Sequence, residues 1–139
     1  MKKNILVLCT GNSCRSQMAH GYLETLAAEK ANVYSAGIET HGLNPFAVGI
    51  MSEDGVNISN HTSNHVDEYS NINFDYVITV CDHANESCPI FPSTAKKLHH
   101  NFSDPSKASG TAKEIIEAFR STRNAIKQYS KDFIDEYVA

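Results

Sequence analysis

Residues 5–8 form an unbroken apolar run, and the segment 4–8 reads as a strand covered on both faces. Residues 17–30 are rich in Ala, Leu, Glu and Lys and read as a helix, with Met18, Tyr22 and Leu26 as its inner stripe at helical spacing. Residues 32–36 form a second short strand, stopped by Gly37. A further helix is expected over 45–54, ended by Gly55. Residues 74–80 are the clearest internal strand, and they run straight into Cys81. A weaker strand over 97–102 leads into Ser103-Asp104-Pro105. The rest is one long amphipathic helix. Thr111 and Glu114 form a capping box at its start, and Ile115, Phe119, Ile126, Phe133 and Tyr137 keep a helical period along one side.

Strands alternating with helices predict an α/β fold on a parallel sheet, as a single domain over residues 1–139. In such folds ligands sit at the carboxyl ends of strands. Cys9, Cys81 and the turn around Asp104 all fall at such ends. Three chemically capable groups at one edge of one sheet are the first sign of a site.

Composition narrows the classes. Of 139 residues, 41% are hydrophobic and 20% charged, as in ordinary globular proteins, and the net charge of −4 leaves no basic footprint for nucleic acid or for a membrane surface. The apolar run after Lys2 and Lys3 is too short for a signal peptide or a spanning helix, so a cytoplasmic location is expected. In a reducing compartment the four cysteines are expected to be buried, catalytic or metal-binding instead of a disulfide framework.

The residues that close the first strand carry the strongest chemical signal. Cys9-Thr10-Gly11-Asn12-Ser13-Cys14-Arg15 is a cysteine, five residues and an arginine, with a strand before and a helix after. Gly11 and Asn12 tolerate left-handed backbone angles. Such a loop turns successive N–H groups inward as an anion nest, to which the following helix adds its positive end. Arg15 supplies a planar fork matched to a tetrahedral oxyanion. The same fields favour the Cys9 thiolate, and Ser16 is placed to donate a hydrogen bond to it. Thr10, Gly11, Asn12, Ser13, Cys14 and Arg15 are therefore the expected oxyanion cradle, with Cys9 as an activated nucleophile beside it and the most acidic thiol of the chain. Cys14 itself reads as a packing residue.

Cys81 and Cys88 stand seven residues apart, followed by Pro89. On a regular helix that is about 10 Å, too far for a disulfide, so a bond between them needs the segment to bend. Ligation of a metal by Cys81, Cys88, His83, His99 and His100 matches no usual zinc spacing, and no metal site is expected there. Asp104-Pro105 is compatible with a common turn and with a carboxyl placed to protonate a departing oxygen.

"CTGNSCRSQMA" (residues 9–19) resembles the signature of the low-molecular-weight protein tyrosine phosphatase fold. "NVYSAGIETHGLNP" (32–45), "ISNHTS" (58–63) and the C-x6-C-P pair resemble the arsenate reductase branch of that fold, which draws electrons from thioredoxin. The resemblance implies a three-layer fold with a four-stranded parallel sheet and helices on both faces. It also implies roles: Cys9 attacks arsenate held by the loop and Arg15, Asp104 is the general acid, Cys81 attacks Cys9, and Cys88 resolves a Cys81–Cys88 disulfide that thioredoxin reduces. No tightly bound cofactor is implied, and a monomer is expected. Ser106-Lys107-Ala108 lacks the aromatic residues that line the cleft of tyrosine phosphatases, which favours a small inorganic anion. Some related reductases bind potassium through an asparagine, a glutamate, a serine and an aspartate. Here Asn12 and Ser35 match, while His20 and Asn64 replace the two carboxylates, so no potassium site is expected. Two other readings stay open: a phosphatase using Cys9, Arg15 and Asp104 alone, and a non-catalytic oxyanion-binding or redox-sensing protein.

Overall fold

The computed structural model describes residues 2–82, 84 and 95–139. Its order is β1 (Lys3–Cys9), α1 (Arg15–Ala27), β2 (Ala31–Gly37), α2 (Pro45–Glu53), β3 (Tyr76–Thr79), β4 (Lys96–His99) and α3 (Ala112–Tyr137). All strand pairs are parallel, in the order β2-β1-β3-β4. The chain therefore switches direction across the sheet at β1, and the crevice between the carboxyl ends of β1 and β3 is where such sheets bind ligands.

Ile5, Leu6, Val7 and Leu8 are all fully buried. Successive strand residues point to opposite faces, so both faces of β1 are covered. Val7 and Ser35 share the face that meets α1, where His20 reaches Ser35. Tyr76, on that same face, packs its ring against Phe133 and Tyr137 of α3. On the opposite face Tyr34 packs against Phe74 and against Tyr69 of the short helical turn Val66–Tyr69. The alternation of elements predicts the parallel sheet, and the family resemblance its three-layer, four-stranded form; both are found.

The helices follow from local chemistry. Asn44 caps α2 by accepting from the Phe46 and Ala47 amides, with Pro45 in the first turn. The Thr111–Glu114 capping box of α3 is complete in both directions. Phe119, Ile126 and Phe133 are buried on the α3 stripe as its period requires. In α1 the stripe differs from the expected one. Met18 and Tyr22 are buried, but Leu26 is 37% exposed, and Ala19, Leu23 and Ala27 complete the inner face. The buried arc is centred between the 18–22 and 19–23–27 rows, and a period of three and four fits both. Two strands are also shorter than the sequence reading, Tyr76–Thr79 and Lys96–His99. Backbone bonds nevertheless continue past them: Val80 N–H donates to Leu8 O, and Phe102 N–H to Val80 O. These carry Cys81 and Phe102 to the β1 end of the sheet. Among the described residues no helix is long and apolar enough to cross a membrane.

Candidate active site

The loop from Cys9 to Arg15 leaves β1 and enters α1. Its carbonyls are all taken by groups outside the loop. Cys9 O accepts from the Ile38 amide, Thr10 O from Glu39, Gly11 O from His41 and from the Ser63 hydroxyl, and Ser13 O from Asn44. Asn12 O accepts from the Gln17 side chain, and Cys14 O from the Met18 amide within α1. With the carbonyls drawn outward, the amides of the loop are left to the inner side, as an anion nest requires. Asn12 takes the left-handed φ of 49° that makes the turn, and its buried side chain fixes it there. Its Oδ1 accepts from the Asn64 amide at 2.8 Å, and its Nδ2 donates to Ser16 Oγ at 2.9 Å. Gly37 closes the loop's back wall, since a Cβ there would press on the Thr10 carbonyl and the Asn12 amide.

Helix α1 adds a second contribution. Unlike α2 and α3, it has no side-chain cap at its amino end, and unlike α3 it has no acidic residue in its first turn. Its first-turn amides and positive end are thus available to an oxyanion. Arg15, mostly buried, is aimed by two acceptors. Nη1 donates to Phe102 O at 2.9 Å, and Nη2 lies 3.5 Å from Asp104 Oδ2. Asp104 is held in turn by the amide and hydroxyl of Ser106, at 3.0 and 2.6 Å. Cys9, Arg15 and Asp104 line one open cavity of about 310 Å³ together with Cys14, His41 and Lys107. Its described lining carries no aromatic ring other than the His41 imidazole.

Cys9 and Cys81 are both free, buried thiols within hydrogen-bond reach of each other. Thr10 Oγ1 lies 3.3 Å from Cys81 Sγ. The pair shares a proton. The bond from Cys9 pulls the Cys81 thiol well below its ordinary value, helped against burial by the Thr10 hydroxyl, the Ala84 amide and Arg15. The same bond, with burial, pushes Cys9 up, against the pull of Arg15 and the Thr10 amide. The shared contact thus lowers Cys81 and raises Cys9, the reverse of the order expected from the loop alone. The cause is the approach of Cys81, a contact across 72 residues of chain that no loop motif encodes. Burial, with Asp104 nearby, pushes Cys14 up to about 12, so it is inert at neutral pH.

Residues 4–138 match the model of the low molecular weight phosphotyrosine protein phosphatase family. The chain belongs to this family. An arsenate reductase of Staphylococcus aureus (strain Newman) is 51% identical over 132 residues, covering 95% of this chain and 96% of that protein. One of Bacillus licheniformis is 48% identical over 134 residues, 96% of each. Among solved structures, an arsenate reductase in the oxidized state is similar with a TM-score of 0.82 at 32% identity, over 98% of both chains. Another, in the phosphate binding state, gives a TM-score of 0.79 at 31% identity, over 96% of this chain and 98% of that one.

In this family member Cys9, the loop 10–15 and Asp104 line one cavity, with Cys81 beside Thr10. Cys88 and His83 lie outside the described residues. Ser16 differs from its expected role: its hydrogen bond is to Asn12, and it acts by bracing the loop. His41 was not singled out from the sequence. Its ring covers Gly11, where any Cβ would strike it, and its Nε2 pairs with Glu39 at 2.7 Å. His99 is engaged by Thr79 and Asp82, and His100 stacks on Phe102. Around the loop, Asn64 has its side chain bonded to Thr62 and Glu68, and burial, with His61 beside it, pushes His20 down to about 4.

Proposed function

We propose that this protein reduces arsenate to arsenite through Cys9 and a disulfide relay fed by thioredoxin. The observation that carries the reading is the second thiol. Cys81 sits against Cys9 with its own polar support from Thr10. A phosphatase needs a nucleophile, an arginine and an acid, and has no use for a thiol in contact with its nucleophile. The family relatives named arsenate reductase, and a lining without a large aromatic cleft, support the same reading.

The steps balance as follows. Arsenate lies on the loop amides with Arg15 across its oxygens. The Cys9 proton passes to an oxygen of the bound arsenate as Cys9 Sγ attacks arsenic, so Cys81 stays a thiolate. One arsenic–oxygen bond breaks, and Asp104 gives its proton to the oxygen, which leaves as water. Cys81, deprotonated, then attacks Cys9 Sγ. A sulfur–sulfur bond forms, the sulfur–arsenic bond breaks, and its electron pair stays on arsenic, which falls from As(V) to As(III). Cys88 attacks Cys81 and frees Cys9. The thioredoxin dithiol then reduces the Cys81–Cys88 disulfide and is itself oxidised.

Weak hydrolysis of phosphate esters is expected from the same loop, since phosphate and arsenate share shape and charge. The test is NADPH consumption with arsenate, thioredoxin and thioredoxin reductase. Sustained turnover dependent on both arsenate and thioredoxin supports the reductase. Phosphate ester hydrolysis without arsenate-dependent turnover overturns it in favour of the phosphatase.

A further inference from the structure

Helix α1 carries His20 and Glu24 one turn apart, so both project from one face. His61, in the segment between α2 and β3, lays its imidazole on that of His20, with ring centres 4.2 Å apart and planes at 29°. His20 Nε2 is 3.5 Å from one Glu24 carboxylate oxygen, and His61 Nε2 is 3.7 Å from the other. One ligand atom from each of the three residues lies within 4.8 Å of the others.

The bonds behind the rings fix which nitrogens face the carboxylate. Gln17 donates its Nε2 to the carbonyls of Asn12 and Thr62, at 3.0 and 2.9 Å. Its Oε1, 3.1 Å from His61 Nδ1, is therefore an acceptor, and that nitrogen carries the proton. A neutral His61 then presents a bare Nε2 lone pair to Glu24. Ser35 Oγ, 2.8 Å from His20 Nδ1, holds the other ring from behind and leaves its Nε2 turned to Glu24. The two imidazole Nε2 atoms and the carboxylate so converge on one point, where a cation can take the place of a ring proton. Ring nitrogens oriented by a hydrogen bond on the far side are the usual setting of metal-binding histidines.

We propose that His20, Glu24 and His61 bind one divalent transition-metal ion of the zinc class. Two neutral imidazoles and one carboxylate suit that class and not magnesium or calcium, which take oxygen ligands. Ligands at tetrahedral zinc stand about 3.3 Å apart. The small closure needed falls to Glu24, whose side chain is 59% exposed, while both rings are anchored. The ion clamps α1 to the segment carrying His61. Gln17, bonded to both Asn12 and Thr62, extends the clamp to the oxyanion loop. The site is independent of the reduction chemistry.

The thiols are the competing ligands, so the test compares chains with identical cysteines. Zinc chloride is titrated calorimetrically into the whole chain, its reactive thiols capped with iodoacetamide and the buried Cys14 left unchanged, and into Glu24→Gln and His61→Gln treated alike. One equivalent is expected to bind the parent chain and raise its Tm. Each variant is expected to lose at least about tenfold in affinity and to lose the Tm gain. Cobalt bound to the uncapped parent at this site is expected to give visible bands without a sulfur charge-transfer band. Glu24 is exposed, so Glu24→Gln keeps the fold even where His61→Gln does not. Equal zinc affinity in Glu24→Gln, or no binding by the capped parent, overturns the proposal.

Discussion

Replacing Cys81 with alanine will make Cys9 a stronger acid. In the intact protein the Cys9 proton is held by the neighbouring sulfur, which, with burial, raises the Cys9 thiol. Removing Cys81 deletes that hold and the charge beside it. Burial remains, opposed by Arg15 and the Thr10 amide. A hydrogen bond to a charged group contributes about 1.5–3 kcal/mol, and one pKa unit corresponds to about 1.4 kcal/mol. The Cys9 midpoint should therefore fall by about one to two units. The reciprocal change, Cys9→Ala, should raise the lowered Cys81 thiol by a similar step, because it loses the same bond. The assay is iodoacetamide alkylation of the reduced protein against pH, with each cysteine followed in its own peptide. Cys14, pushed up to about 12, stays unreactive and gives an internal control. A Cys9 midpoint that is unchanged or higher in Cys81→Ala would refute the shared proton.

Asp104→Asn should slow single-turnover arsenite release while leaving phosphate affinity nearly intact, since the carboxyl acts only as an oxygen departs. Equal slowing of binding and release would return Asp104 to a turn role. Glu53 joins α2 to α3 through Arg120 and the buried Arg123, which hold its carboxyl down to about 2. A depressed folded pKa gives stability that is complete above the ordinary value of 4.5 and is lost as pH falls from there through about 2. Glu53→Gln should therefore lower the Tm by a few degrees at neutral pH and flatten its fall below pH 4.5, as thermal melts across pH will show. Gln17→Ala leaves the Asn12 and Thr62 carbonyls without their donor, at a cost of about 1–3 kcal/mol each if they stay dry. Phosphate affinity should weaken with stability, and calorimetry with inorganic phosphate measures the first.

Where local chemistry decides, the sequence was a good guide. The apolar run of β1, the Asn44 and Thr111 caps and the α3 stripe each follow from neighbours within a few residues. The oxyanion loop was legible for the same reason, since cysteine, glycine, asparagine and arginine act within seven consecutive residues. What stayed hidden depends on partners distant in the chain. Leu26 was misplaced because two rows of α1 satisfy the helical period, and only packing chooses between them. The role of Ser16 is set by Asn12, itself held by Asn64. The acidity of Cys9 is inverted by Cys81, and His61 meets His20 and Glu24 only because its segment folds over α1.

The account rests on electrons passing from Cys81 to Cys9 after oxyanion attack, and Cys88→Ser tests that transfer most directly. The reduced variant is mixed with arsenate, arsenite is counted per chain, and disulfides are mapped by peptide mass. Cys9 and Cys81 are both present, so one arsenite per chain should form and leave a Cys9–Cys81 disulfide. Without Cys88 the nucleophile then stays locked, and turnover stops. Cys81→Ser should give no such burst and no such disulfide. Sustained thioredoxin-coupled turnover by Cys88→Ser at the parent rate, or a burst without a Cys9–Cys81 bond, would contradict the relay.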